Sequence, residues 1–98
     1  MRNDKYFLYA LDKIKEILNK INFKGSVYLF GSSVTENYLD ISDMDIAVVT
    51  PHKKLFTLLK YELEELNIPY KIDLTNLEEA GEKLKKEILK SGVLIWKN

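Results

Sequence analysis

Apolar residues Tyr6, Ala10, Ile14, Leu18 and Ile21 recur at helical spacing near the start of the chain, with Asn3 or Asp4 placed to cap them, and so predict a first helix. Gly25 ends the link behind it. The run Ser26–Phe30 (SVYLF), bounded by Gly25 and Gly31, is rich in β-formers and predicts a short buried strand. Residues 31–42 are polar and turn-like, with room for one helical turn after Gly31. Asp43–Thr50 (DMDIAVVT) predicts a second strand. Thr50-Pro51 then offers a capping hydroxyl and a first-turn proline to a second long helix. Leu55, Leu58, Leu59, Leu63 and Leu66 form its apolar stripe, which stops near Asn67 and Pro69. Tyr70–Leu74 (YKIDL) predicts a third strand. Leu77, Ala80, Leu84 and Ile88 form a third helical stripe, ended by Ser91-Gly92, and Val93–Trp96 closes the chain as a strand. The order helix, strand, strand, helix, strand, helix, strand predicts an α/β domain with helices packed on a small sheet.

Composition narrows the class. Ninety-eight residues, 46% hydrophobic and 31% charged, are expected to form one folded domain over residues 1–98, with a partner subunit as a route to further stability. Fifteen basic residues balance fifteen acidic ones, which argues against direct binding to nucleic acid. No apolar run approaches the roughly 18 residues of a membrane span, and no leader is visible at the start, so the expectation is a cytoplasmic protein without a membrane partner. The absence of cysteine removes disulfides, thiolate metal sites and thiol nucleophiles. A single histidine, His52, weakens a Ser-His-Asp arrangement and sits where a solvated first-turn residue is the ordinary expectation.

The chemistry is carried by aspartates, which are depleted in strands. Asp43 and Asp45 are two residues apart on the second strand and share a face, with Cβ atoms about 7 Å apart, while Met44, Ile46 and Val48 turn to the opposite side. Asp73, between Ile72 and Leu74, repeats the pattern on the third strand. If those strands are neighbours, three carboxylates converge and repel one another unless cations sit between them. Oxygen-coordinated divalent ions resolve the conflict, and two of them about 3.5–4 Å apart support in-line phosphoryl or nucleotidyl displacement. Upstream, Phe30-Gly31-Ser32-Ser33 ends the first strand in an anion cradle: glycine permits close backbone approach, and a helical turn behind it directs N–H groups outward. Alone, a Gly-Ser turn or an Asp-x-Asp pair is common; together they place a phosphate cradle opposite a metal site. The segment lacks the Gly-Lys-Ser/Thr ending of a P-loop, and Asp40–Asp45 lacks the sixth-position glycine of a calcium loop.

Gly31-Ser32, ten intervening residues (33–42), then Asp43-Met44-Asp45 resembles the Gly-Ser-x10-Asp-x-Asp signature of the DNA polymerase β-like nucleotidyltransferase superfamily. Most closely the chain looks like the minimal nucleotidyltransferases (MNT). The resemblance implies an α/β (α+β) polymerase β-like fold, a small mixed sheet with helices packed on it. It implies that Asp43, Asp45 and Asp73 are the catalytic, metal-binding residues for two Mg2+ ions. Gly31, Ser32 and Ser33 would hold the phosphates of ATP, and attack at the α-phosphate would release pyrophosphate. Asp73 would serve the metal nearer the acceptor. The implied partner is an all-helical HEPN-type RNase toxin in a hetero-oligomer, which the nucleotidyltransferase neutralises as an antitoxin by adenylylating a tyrosine. Alternatives are transfer to a small molecule, such as an antibiotic, with a helical partner subunit, and a catalytically silent antitoxin. Many relatives carry Arg directly after the Gly-Ser pair and a glycine a few residues on. Here Ser33 and Asn37 stand there, and Arg2 is the sole arginine, so triphosphate charge falls to metals, backbone dipoles and lysines.

Four further features attract attention. Lys71 shares a strand face with Asp73 and could approach a phosphate or pair with an acid. Tyr28, Tyr38 and Tyr70 could stack on a base, although tyrosine beside a strand is usually core. The Lys-Glu mixture at 82–90 reads as a solvated helix face. Trp96 could cover a sheet edge or dock a partner.

Overall fold

The computed structural model describes residues 5–31, 44–68 and 70–98. It contains α1 (Lys5–Lys20), β1 (Ser26–Phe30), β2 (Met44–Val49), α2 (Lys53–Glu64), β3 (Ile72–Asn76), α3 (Glu82–Ser91) and β4 (Val93–Lys97), in the predicted order. The four strands form one mixed sheet in the order β3-β2-β1-β4. β1 is antiparallel to both β2 and β4, and β2 is parallel to β3. Parallel neighbours need a long crossover, and α2 supplies it.

Strand alternation sorts the side chains into two layers. Val27 and Leu29 of β1 and Met44, Ile46 and Val48 of β2 are fully buried on one face. There they meet Phe7, Ala10, Leu11, Ile14 and Leu18 of α1 and Leu59 and Leu63 of α2. The opposite face carries a smaller cluster of Ala47, Leu77 and Ile88, with Tyr28, Phe30, Val49 and Ala80 against it. The sheet is thus sandwiched between α1 and α2 on one side and α3 on the other. None of the described helices is long and apolar enough to cross a membrane.

Several local expectations are corrected. The buried face of α1 starts at Phe7; Tyr6 is 66% exposed, because Phe7 turns its ring inward to meet Tyr70 edge-on at 6.0 Å. On α2, Leu58 points outward while Leu59 and Leu63 carry the packing. β3 runs two residues later than predicted, since Tyr70 is drawn into the core against α1 before the strand begins. α3 starts at Glu82, so Leu77 and Ala80 belong to the preceding turn. Asn76 causes that delay: its Oδ1 accepts a hydrogen bond from the Glu78 N–H at 3.0 Å, a local turn that competes with helix. Gly92 ends α3 with ordinary extended dihedrals rather than a left-handed cap. Its need for glycine is spatial, because a Cβ there would fall 2.6 Å from the Ile88 carbonyl oxygen. Trp96 serves the fold itself, its Nε1–H donating to the Phe23 carbonyl at 3.1 Å.

Thr50 does not cap α2; His52 occupies that position without a side-chain bond. The buried Thr50 hydroxyl instead donates to the Lys24 carbonyl at 2.7 Å and accepts from the His52 N–H at 3.2 Å. It fastens the end of β2 to the link that enters β1. Replacing it by valine removes both hydrogen bonds at once at a part-buried site. Thr50→Val is therefore expected to lower unfolding free energy by about 1–3 kcal/mol in urea denaturation.

Candidate active site

The parallel register of β2 and β3 sets Asp45 directly opposite Asp73, and the antiparallel register of β1 sets Phe30 opposite Asp45. Paired residues on adjacent strands project to the same face, so both carboxylates emerge on the α3 side with their backbones about 4.8 Å apart. Two residues further along, the same face is apolar at Ala47 and covered by Leu77 and Ile88. The carboxylates lie at the end of the sheet where that cover stops. Asp45 is half-buried and Asp73 is exposed.

Gly31 closes this arrangement from the β1 side. Its φ of +63° is the left-handed conformation that glycine adopts without steric cost. A Cβ on Gly31 would stand 2.5 Å from Asp45 Oδ2. The backbone of the turn therefore approaches the carboxylate more closely than any side chain would permit. Gly31, Asp45 and Asp73 thus follow one another across three neighbouring strands.

Asp43, Ser32 and Ser33 lie outside the described residues, as does Tyr38. Among the described residues no group of three or more His, Cys, Asp or Glu is placed to hold a metal; Asp45 and Asp73 form a pair. Lys71 is exposed just before β3, and its carbonyl accepts the Met44 N–H at 2.8 Å, which locks the start of the β2–β3 ladder. His52 is exposed at the head of α2, on a different part of the chain from the carboxylates. Tyr28 packs, partly buried, against the smaller cluster, and Tyr70 is buried in the larger one.

Two clefts flank the carboxylate row. One, of about 390 Å³, runs between the Gly31 turn and α3, lined by Phe30, Leu84, Glu87 and Ile88 among others. The other, of about 430 Å³, lies along β3, with Asp73 and Lys71 on one side and Lys60 and Glu64 of α2 on the other. The sequence pattern marked Glu87 as part of a solvated helix face and gave Lys60 and Glu64 no role. Only the packing of α3 across the sheet and the α2 crossover brings them beside Gly31 and Asp73.

Residues 12–98 match the family described as "Polymerase beta, Nucleotidyltransferase". The chain belongs to this nucleotidyltransferase family. Solved structures agree. A structure described as tri-AMPylated Shewanella oneidensis HEPN toxin in complex with MNT antitoxin matches with a TM-score of 0.60 and 25% identity, over 94% of this chain and 73% of that one. A toxin–antitoxin structure with AMP-PNP matches with a TM-score of 0.64 and 26% identity, over 90% and 73% of the two chains. The MntA–HepT toxin–antitoxin structure, at 24% identity and a TM-score of 0.58 over 93% and 73%, shares the fold. No curated protein matches the chain.

Nucleotidyltransferases of this family use a nucleoside triphosphate and a divalent metal. The donor set here fits such an ion: two carboxylates opposite each other on rigid strands, oxygen ligands only, and a glycine turn pressed against one of them. Like charges directly opposite on adjacent strands are destabilising, and a cation between them reverses that effect. Because the Gly31 conformation and its contact both exclude a side chain, Gly31→Ala is expected to destabilise the fold by about 1–2 kcal/mol from its positive φ alone. Urea denaturation measures that loss. Displacement of the Asp45 carboxylate should further show as weakened divalent-cation binding by calorimetry.

Proposed function

We propose that this chain is a cytoplasmic, magnesium-dependent nucleotidyltransferase that transfers AMP from ATP to a hydroxyl of a HEPN-type toxin and thereby acts as its antitoxin. The observation that carries this is the register that sets Asp45 opposite Asp73 with Gly31 against Asp45. Support for the partner comes from the AMPylated HEPN toxin found with an MNT antitoxin in a similar structure.

Asp43, Asp45 and Asp73 would hold two magnesium ions, which when bound neutralise the triphosphate and lower the cost of charge on the oxygens around the α-phosphorus. Gly31 contributes its backbone to the phosphate turn, to which Ser32 and Ser33 would add theirs. Asp45 sits midway between turn and acceptor and orients the α-phosphate. Asp73, exposed at the far end of the row, receives the proton of the attacking hydroxyl. The acceptor oxygen bonds to the α-phosphorus as the bond to the bridging oxygen breaks, and the electron pair departs with pyrophosphate.

Two measurements test the proposal. Incubation with α-labelled ATP, magnesium and a co-expressed HEPN-type protein should label that protein. Asp45→Asn should cut the rate at least about a hundredfold, since it removes several kcal/mol of charge stabilisation. Label in a low-molecular-mass product would point to the small-molecule reading, and neutralisation unchanged by Asp45→Asn to a silent antitoxin. Separately, magnesium at about a hundred times its dissociation constant should stabilise the free chain by about 2.7 kcal/mol, read as a rise in Tm by calorimetry. Asp73→Asn should reduce that rise.

A further inference from the structure

We propose that the groove along the outer edge of β3 receives an extended polypeptide segment of the acceptor, which delivers its hydroxyl side chain to Asp73. The inference rests on the nucleotidyl transfer proposed above and adds the form in which the acceptor is presented and the residues that receive it.

The direction of approach follows from the strand order. In-line displacement requires the attacking and leaving oxygens on opposite sides of the phosphorus. The phosphate turn at Gly31 ends β1, Asp45 is on β2, and Asp73 is on β3, the terminal strand of the sheet among the described residues. Pyrophosphate therefore leaves on the β1 side, and the hydroxyl enters across the edge of β3. A groove of about 430 Å³ lies there, between Lys60 and Glu64 of α2 and the residues from Lys71 to Leu74.

The floor of this groove defines its occupant. Met44 N–H donates to the Lys71 carbonyl, and Leu77 N–H donates to the Val48 carbonyl, so the odd-numbered residues direct their backbone groups inward to β2. Backbone alternation then turns the N–H and C=O groups of Ile72 and Leu74 outward, away from the sheet. Both residues line the groove. Donors and acceptors at strand spacing pair with another extended backbone, the mode by which sheet edges capture peptides. A compact small molecule has no matching repeat. A segment laid against Ile72 and Leu74 also projects side chains beside Asp73, which occupies the intervening position. Lys60 and Glu64 present opposite charges along the other wall, placed to select polar flanking residues of the segment.

Because the chain has no cysteine, Lys60→Cys gives a unique thiol in the groove, and Lys86→Cys gives one on α3, across the sheet. Each thiol carries a photo-crosslinker, and the probe is the co-expressed HEPN-type protein. Crosslinking is expected from Lys60→Cys and not from Lys86→Cys. In the transfer assay, Lys60→Glu and Leu74→Pro should each raise KM for the protein acceptor about tenfold while leaving ATP affinity unchanged, because proline at position 74 removes an outward N–H and no bond to β2, although it also trims packing on the core. Should Leu74→Pro fail to fold, Lys60→Glu and the crosslinks decide. Crosslinking from Lys86→Cys alone or from neither position overturns the groove, as does an unchanged acceptor KM in the folded variants. Label found only in a small molecule overturns it too. Crosslinking from Lys60→Cys with no label transfer by the unsubstituted chain sustains the groove and refutes the transfer chemistry instead.

Discussion

The parallel pairing of β2 with β3 is the constraint on which the rest of the structure depends. It places Asp45 against Asp73, an arrangement that two like charges oppose. The same residues' neighbours hold it in place: Met44, Ile46 and Val48 alternate with the charged position and are fully buried on the other face. A slip of one residue would drive Asp45 into the core and expose three apolar side chains. The hydrophobic layer beneath the sheet therefore fixes the register that the carboxylates alone would avoid.

Parallel pairing has a second consequence. It requires a crossover, and α2 both seals the larger core through Leu59 and Leu63 and forms a wall beside the edge of β3. At the opposite end of the sheet, β4 is joined to β1 and the link before it. At β4, Trp96 turns back to the Phe23 carbonyl, and Asn98 and Gly25 exchange backbone hydrogen bonds at 3.0 and 3.1 Å. The groove lies at the β3 end of the sheet, and strand order sets the carboxylates at that end.

The α3 face shows how a small sheet combines packing with chemistry. Ala47, Leu77 and Ile88 close its middle, and the cover stops before the row of Phe30, Asp45 and Asp73. Charged groups thus stand on strands made rigid by burial two residues away, which suits a site that must hold its geometry through a reaction. Gly31 adds a backbone approach that no other residue allows. The glycine turn and the two carboxylates come from consecutive strands of the chain.

Much of this was legible in the chain itself. β-formers between two glycines marked Ser26–Phe30 as a strand, and in Asp43–Thr50 the alternation of aspartates with Met44, Ile46 and Val48 marked the inward face, because burial on a sheet has a period of two. The placement of Asp45 and Asp73 in otherwise apolar strands marked both as candidate site residues. Errors fell where local signals compete: Thr50 looked like a cap but tethers Lys24, and Leu77 looked helical but precedes an Asn76 turn. The sequence by itself determined which residues alternate and where charge interrupts the pattern, since those depend only on neighbours along the chain. Tertiary structure alone decided that β3 lies parallel beside β2, that Asp45 meets Asp73, and that Lys60 and Glu64 face the same groove. Those depend on which distant segments share a core, and no local spacing encodes that choice.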